Sequence, residues 1–162
     1  MKNLFLITFT FFTMLVNAQR LPEAIIADDL YSKIEKNNKP AFLIFWNPIC
    51  ETGEESLLEF QGIINKYSPK IDIYVIGLTS MPDLMIEMSS KIGLYYPLYY
   101  LGGDKSISIF ERKERFVDEL SKLTSKKNID DFLMMYIKDL DNVDYISDNA
   151  EIDYKKLDSL LN

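Results

Sequence analysis

The stretch "AFLIFWNPICETGEES", Ala41 to Ser56, decides the fold. Ala41 to Trp46 is apolar without alternation and is bounded by Asn37-Asn38-Lys39-Pro40 before it and Asn47-Pro48 after it. A short, β-favouring apolar run between breakers predicts a strand covered on both faces. Glu54 to Tyr67 then predicts a helix with Leu57, Phe60, Ile63, Ile64 and Tyr67 toward one side, stopped by Ser68-Pro69. Between strand and helix stands Cys50, the only cysteine, four residues after the only tryptophan, Trp46.

Working outward, Asp28 to Asn38 predicts a short helix through Leu30, Tyr31 and Ile34, and "IDIYVIG", Ile71 to Gly77, a second strand. "SMPDLMIEMSSKIG" predicts a helix capped by Ser80, with Asp83 completing a capping box, Pro82 in the first turn and Gly93 as the stop. Its Met81, Met85 and Met88 are expected to pack on the sheet. "PLYYL" and "SISIF" flank Gly102-Gly103-Asp104-Lys105, which predicts a β-hairpin. Phe116 to Leu123 and Ile129 to Leu140 predict helices, the latter with Phe132, Leu133, Tyr136, Ile137 and Leu140 on one face. From Asp141 the chain is acidic and weakly patterned, with one helix expected around Asp153 to Leu161. Strand–helix–strand order requires a crossover and therefore parallel neighbours. The fold class is α/β: a central mixed sheet, a parallel β-α-β core plus an antiparallel C-terminal hairpin, flanked by helices on both faces.

Composition narrows the chemistry. The chain has 162 residues, 48% apolar and 27% charged, with a formal net charge of −7. That length and composition suit one globular domain. The acidic balance opposes nucleic acid and anionic lipid as partners. There is no histidine, which excludes Ser-His-Asp and Cys-His catalysis within the chain and the usual zinc ligand sets. No cofactor or metal is expected. Lys2, the apolar run Leu4 to Val16 and the small Ala18 have the form of an export signal. The apolar run is shorter than the roughly 20 residues that span a bilayer, so no stable span is expected once the signal is cut. The expected location is periplasmic or secreted.

Phe45, Trp46 and Cys50 at the end of a buried strand, Pro97 at the start of a later one, and a hairpin with a closing helix resemble the thioredoxin superfamily. The resemblance is to exported thiol–disulfide oxidoreductases of the TlpA and ResA kind, and it covers Pro40 to Leu140. It implies a thioredoxin-like domain over residues 19–140, after a signal peptide (1–18) and before an acidic C-terminal extension (141–162). It also implies that Cys50 is the catalytic nucleophile and that Pro97 is a cis-proline against it. Trp46, Tyr96 and Pro97 would then line a groove for an extended peptide. The 47 residues from Cys50 to Pro97 leave little room for the inserted strand–helix unit of the TlpA type.

The departures bear on function. Gly53 stands where the second cysteine of C-x-x-C would be, Ile44 where thioredoxin has a buried Asp, and Ile49 where a Trp often precedes the nucleophile. A dithiol cycle needs a second thiol to resolve the mixed disulfide. Cys50 is expected to be weakly activated at most. A helix N-terminus contributes about 0.3–1 kcal/mol toward the thiolate, and Glu51, Glu54 and Glu55 oppose it. Two functions stay open. One is a redox-silent or weakly redox-active module that binds a protein or peptide partner. The other is a single-thiol thiol–disulfide oxidoreductase that uses Cys50 with an external resolving thiol. Plain packing roles stand beside both: Cys50 as a small buried hydrophobe, Trp46 as core, Pro97 as a strand start. The oligomeric state has no signature in the sequence.

Overall fold

The computed structural model describes residues 21–37, 39–124, 134–139, 142–147 and 152–161. The expected signal peptide lies outside them. The elements are β1 (Glu23–Ile25), α1 (Ala27–Asn37), β2 (Ala41–Trp46), α2 (Gly53–Tyr67), β3 (Asp72–Gly77), α3 (Pro82–Ile92), β4 (Leu98–Leu101), α4 (Ile109–Leu123), β5 (Met134–Asp139), β6 (Asn142–Ser147) and α5 (Tyr154–Leu160). The strands form one sheet in the order β1-β4-β3-β2-β5-β6. The first four in that order run parallel, and β5 and β6 are antiparallel to their neighbours.

All six residues of β2 are buried, as a strand between two helical layers must be. Phe42, Ile44 and Trp46 face the layer of α2, α3 and α5, while Ala41, Leu43 and Phe45 face that of α1 and α4. The expected stripe of α2 is buried in full, Leu57 through Tyr67. Each such large side chain stabilises the fold by roughly 1.5–3 kcal/mol. That outweighs the spread of helix propensities, about 0.7 kcal/mol per ordinary residue.

Three expectations need correction. The Ser80–Asp83 capping box does not form: α3 starts after Met81, whose N–H donates to Thr79 Oγ1 at 2.9 Å, and Ser80 Oγ accepts from Arg112 instead. Pro82 does stand in the first turn and Gly93 ends the helix in the left-handed region (φ 70°). Met85 is buried and Met88 packs against the core, but Met81 is exposed.

The hairpin around Gly102–Lys105 is absent. After β4 the chain enters α4, capped by Ser108, whose hydroxyl accepts the Glu111 N–H at 3.1 Å. Ser108 and Glu111 are the S-x-x-E signature of a helix start, hidden under the alternation of "SISIF". Third, residues 134–139 of the predicted helix Ile129–Leu140 are strand β5, which pairs with β2. Tyr136 and Ile137 are adjacent yet buried in opposite layers, which a strand achieves and one helical stripe does not. A short apolar run carries no period able to separate the two. The antiparallel hairpin is therefore β5–β6. The span from Cys50 to Pro97 holds only α2, β3 and α3, while β4 and α4 follow Pro97 and stand between α3 and that hairpin.

Past residue 140, β6 closes the sheet edge and α5, close to the expected terminal helix, buries Leu157. Asp158 ties α5 to α2, accepting from the Tyr67 hydroxyl at 2.7 Å and from Lys66 at 3.0 Å. The Tyr67 bond first, then Lys66, holds the Asp158 carboxyl below its ordinary value. A depressed folded value gives stability present above the unfolded carboxylate value and lost as pH falls through the folded one. Docking of α5 is thus expected to weaken in acid, and Asp158→Asn to remove that dependence. Hydrogen exchange of the α5 amides against pH checks it; an unchanged profile in the variant refutes it.

Candidate functional site

β2 leaves the sheet at Trp46, which pairs with Gly77 at the matching end of β3. Two tight turns then lead into α2. Asn47 Oδ1 accepts the Ile49 N–H at 3.0 Å, and its carbonyl accepts the Cys50 N–H at 3.2 Å. The Cys50 carbonyl in turn accepts the Gly53 N–H at 2.9 Å. Below the turns, the buried Trp46 indole donates Nε1–H to the Gly53 carbonyl at 2.9 Å. Trp46 is 2% exposed, so it shapes the site from beneath and offers no face to a ligand.

Cys50 is exposed on this turn, and so is its neighbour Ile49. Its sulfur lies 3.6 Å from Thr52 Oγ1. The Thr52 backbone N–H first, and its hydroxyl second, draw the thiol below its ordinary value; slight desolvation opposes them. Glu51 acts both ways, lowering through its N–H and raising through its charge. Of the two other glutamates expected to oppose ionisation, Glu54 is paired with Lys91 of α3. The expectation of a crowd of unopposed carboxylates is corrected by that contact, since Lys91 lies 41 residues from Cys50 in sequence. The helix N-terminus matters less than expected, because Cys50 precedes the first helical residue by three positions. Local N–H and O–H donors do the work instead.

The resolving position is tight. A side chain at Gly53 would bring its Cβ to 3.1 Å from the Asn47 carbonyl oxygen and 3.2 Å from that of Pro48. Both neighbours are backbone, so the turn itself must yield.

Comparison with solved structures settles the architecture. The chain superposes on the thioredoxin domain of a thiol–disulfide oxidoreductase from Bacteroides vulgatus with a TM-score of 0.51, at 12% identity, over 76% of this chain and 80% of that one. The fold is thioredoxin-like. A secreted disulfide oxidoreductase of Mycobacterium tuberculosis is a looser match, with TM-score 0.48 and 15% identity over 76% and 80% of the two chains; it adds no weight. No family model matches the sequence. No curated protein matches it.

Within this thioredoxin-like fold Cys50 follows the strand flanked by β3 and β5, but the other half of the expected groove is elsewhere. The Tyr96–Pro97 bond is trans, which corrects the cis-proline assignment. Leu98 pairs with Val75, and Val75 with Ile44. Pro97 therefore starts its strand two strand spacings from β2, roughly 9–10 Å, and about 10 Å short of the exit at Trp46. Tyr96 is half-buried against the core, and burial pushes its hydroxyl up. The structure does not bring Tyr96 or Pro97 together with Cys50. The strand that pairs antiparallel with β2 is β5, and no proline follows Pro97 in the chain. Thr52 and Lys91 are the site residues that sequence reasoning missed. Thr52 was visible two positions from the cysteine; Lys91 carried no local signal.

Two outcomes are expected at Gly53. Gly53→Ala overpacks the turn, a cost of about 1–3 kcal/mol, against a helix-propensity gain of at most about 1 kcal/mol, so the urea midpoint falls. Gly53→Cys places two cysteines across an i to i+3 turn, within the Cα separation a disulfide bridges, and both free thiols should disappear on mild oxidation. Persistence of two titratable thiols shows that Cys50 and residue 53 do not face each other.

Proposed function

We propose that this protein is a single-thiol thiol–disulfide exchange protein in which Cys50 is the nucleophile. The observation that supports this most is an exposed sulfur on the turn after the central strand, beside Thr52 donors that favour the thiolate. In the first step the Cys50 thiolate attacks one sulfur of a partner disulfide. A bond forms between Cys50 and that sulfur, and the other partner sulfur leaves as a thiolate. With Gly53 at the resolving position, release requires an external thiolate that attacks the mixed disulfide, returns Cys50 as thiolate and carries the partner away as a new disulfide. The partner is a protein or peptide bearing a thiol or disulfide. The export-like residues 1–18 suit an oxidising compartment, where an unpaired cysteine meets disulfides. Trp46, Tyr96 and Pro97 have no part in the proposal: Trp46 is buried, and the other two stand away from the sulfur.

The full-length chain, incubated with oxidised glutathione, is expected to form one mixed disulfide at Cys50 that persists until a second thiol is added. The adduct should be absent in Cys50→Ser. Alkylation of Cys50 against pH should inflect below the same chain in denaturant. Thr52→Val removes the hydroxyl but keeps the larger backbone contribution, so it should restore the inflection only in part. Glu51→Gln should lower it further. An inflection matching the denatured chain, with no adduct, leaves the redox-silent partner-binding module as the correct reading.

A further inference from the structure

Residues 50–53 form one tight turn. The Cys50 carbonyl accepts the Gly53 N–H at 2.9 Å, and the Trp46 indole holds the Gly53 carbonyl from beneath. Cys50 and Glu51 are consecutive on that turn, and both are exposed. The Thr52 backbone N–H and hydroxyl favour the thiolate, and the charge of Glu51 opposes it. The Glu51 carboxylate is thus close enough to the sulfur for its field to be felt there.

That carboxylate keeps its charge uncompensated by the groups around it. Glu54 is bound to Lys91, but among the described residues Glu51 and Glu55 form no ion pair. From Pro40 to Asn65 the chain has no Lys or Arg. An exposed charge of this kind adds little to folding stability. Its effect falls on charged groups that approach from solvent, which it attracts or repels before contact. A disulfide that reaches Cys50 must come in beside Glu51. The attacking sulfur is itself anionic, so a negatively charged disulfide is repelled by both groups and a positively charged one attracted by both.

We propose that Glu51 sets the charge preference of Cys50, so that the disulfides it attacks are those flanked by positive side chains, as in a basic protein segment. This rests on Cys50 being the nucleophile and adds no step to the exchange. The thiolate bonds to one partner sulfur, the partner S–S bond breaks, and the other sulfur leaves as a thiolate. In water, two unit charges about 8 Å apart change an encounter roughly twofold, so a cation and an anion differ about fivefold through Glu51 alone.

The test measures the rate of mixed-disulfide formation on the full-length protein with three small disulfides. They are those of thiocholine (cationic), 2-mercaptoethanol (neutral) and 3-mercaptopropionate (anionic). Within one protein the thiolate fraction cancels from the cation-to-anion rate ratio. Between proteins the leaving-group chemistry cancels as well. At low salt the ratio should fall about fivefold in Glu51→Gln and about 25-fold in Glu51→Lys. Both differences should collapse in about 1 M salt, where the screening length is about 3 Å. Asp118→Asn, on the exposed side of α4 in the opposite layer, should leave the ratio unchanged. Adducts that form with the same ratio in wild type, Glu51→Gln and Glu51→Lys overturn the inference and leave Cys50 as the nucleophile. So does a change in Asp118→Asn as large as that in Glu51→Gln, which assigns the preference to the overall charge of the chain. Absence of an adduct with all three disulfides, the neutral one included, removes the nucleophile and this inference with it.

Discussion

Burial of β2 on both faces is the constraint from which the rest follows. Six apolar residues with no polar face have no stable place at a solvated sheet surface, so they must lie between two layers. Odd positions then require α1 and α4, and even positions α2, α3 and α5. The neighbours β3 and β5 supply the hydrogen bonds along both edges of β2. Helices on both faces follow from this one strand, as does the parallel run of β3 and β4 reached through α2 and α3.

The same constraint creates the site. A strand enclosed on four sides is solvent-accessible only at its ends, so the first residues after Trp46 carry whatever chemistry the strand can present. Trp46 stays in the core and holds the Gly53 carbonyl, which pulls the turn tight. Tightness has two consequences: it holds Cys50 outward beside Thr52, and it makes a side chain at residue 53 shift the adjoining backbone by a few tenths of an ångström. Lys91, brought in by α3, offsets one of the charges that would otherwise oppose a thiolate.

Arg112 is fixed at the same end of the sheet, donating to the Leu101 carbonyl and to Ser80 Oγ. Trp46, Gly77 and Tyr100 stand level in register, so the chain exits of β2 and β4 share one edge of the molecule, with β3 between them. Parallel strands place their outgoing loops together. One exit carries a thiol and the other a fixed guanidinium, on a chain whose overall charge is negative.

By itself the sequence determined those elements whose pattern is complete within a few residues. The unbroken apolar run of Ala41 to Trp46 announced a two-sided strand. The stripe from Leu57 to Tyr67 announced α2, and Pro82 and Gly93 bracketed α3. It also placed Cys50 after the central strand and removed the second thiol, since composition needs no coordinates. Tertiary structure decided everything that rests on pairing across distance. Residues 134–139 became a strand because the free edge of β2 was there to pair with, and "SISIF" gave way to a capped helix because Arg112 and Phe116 had a sheet face to cover. Pro97 fell on the far side of β3 because register, not spacing along the chain, sets which residues meet. Local pattern records which groups must be buried; only the folded sheet records what they are buried against.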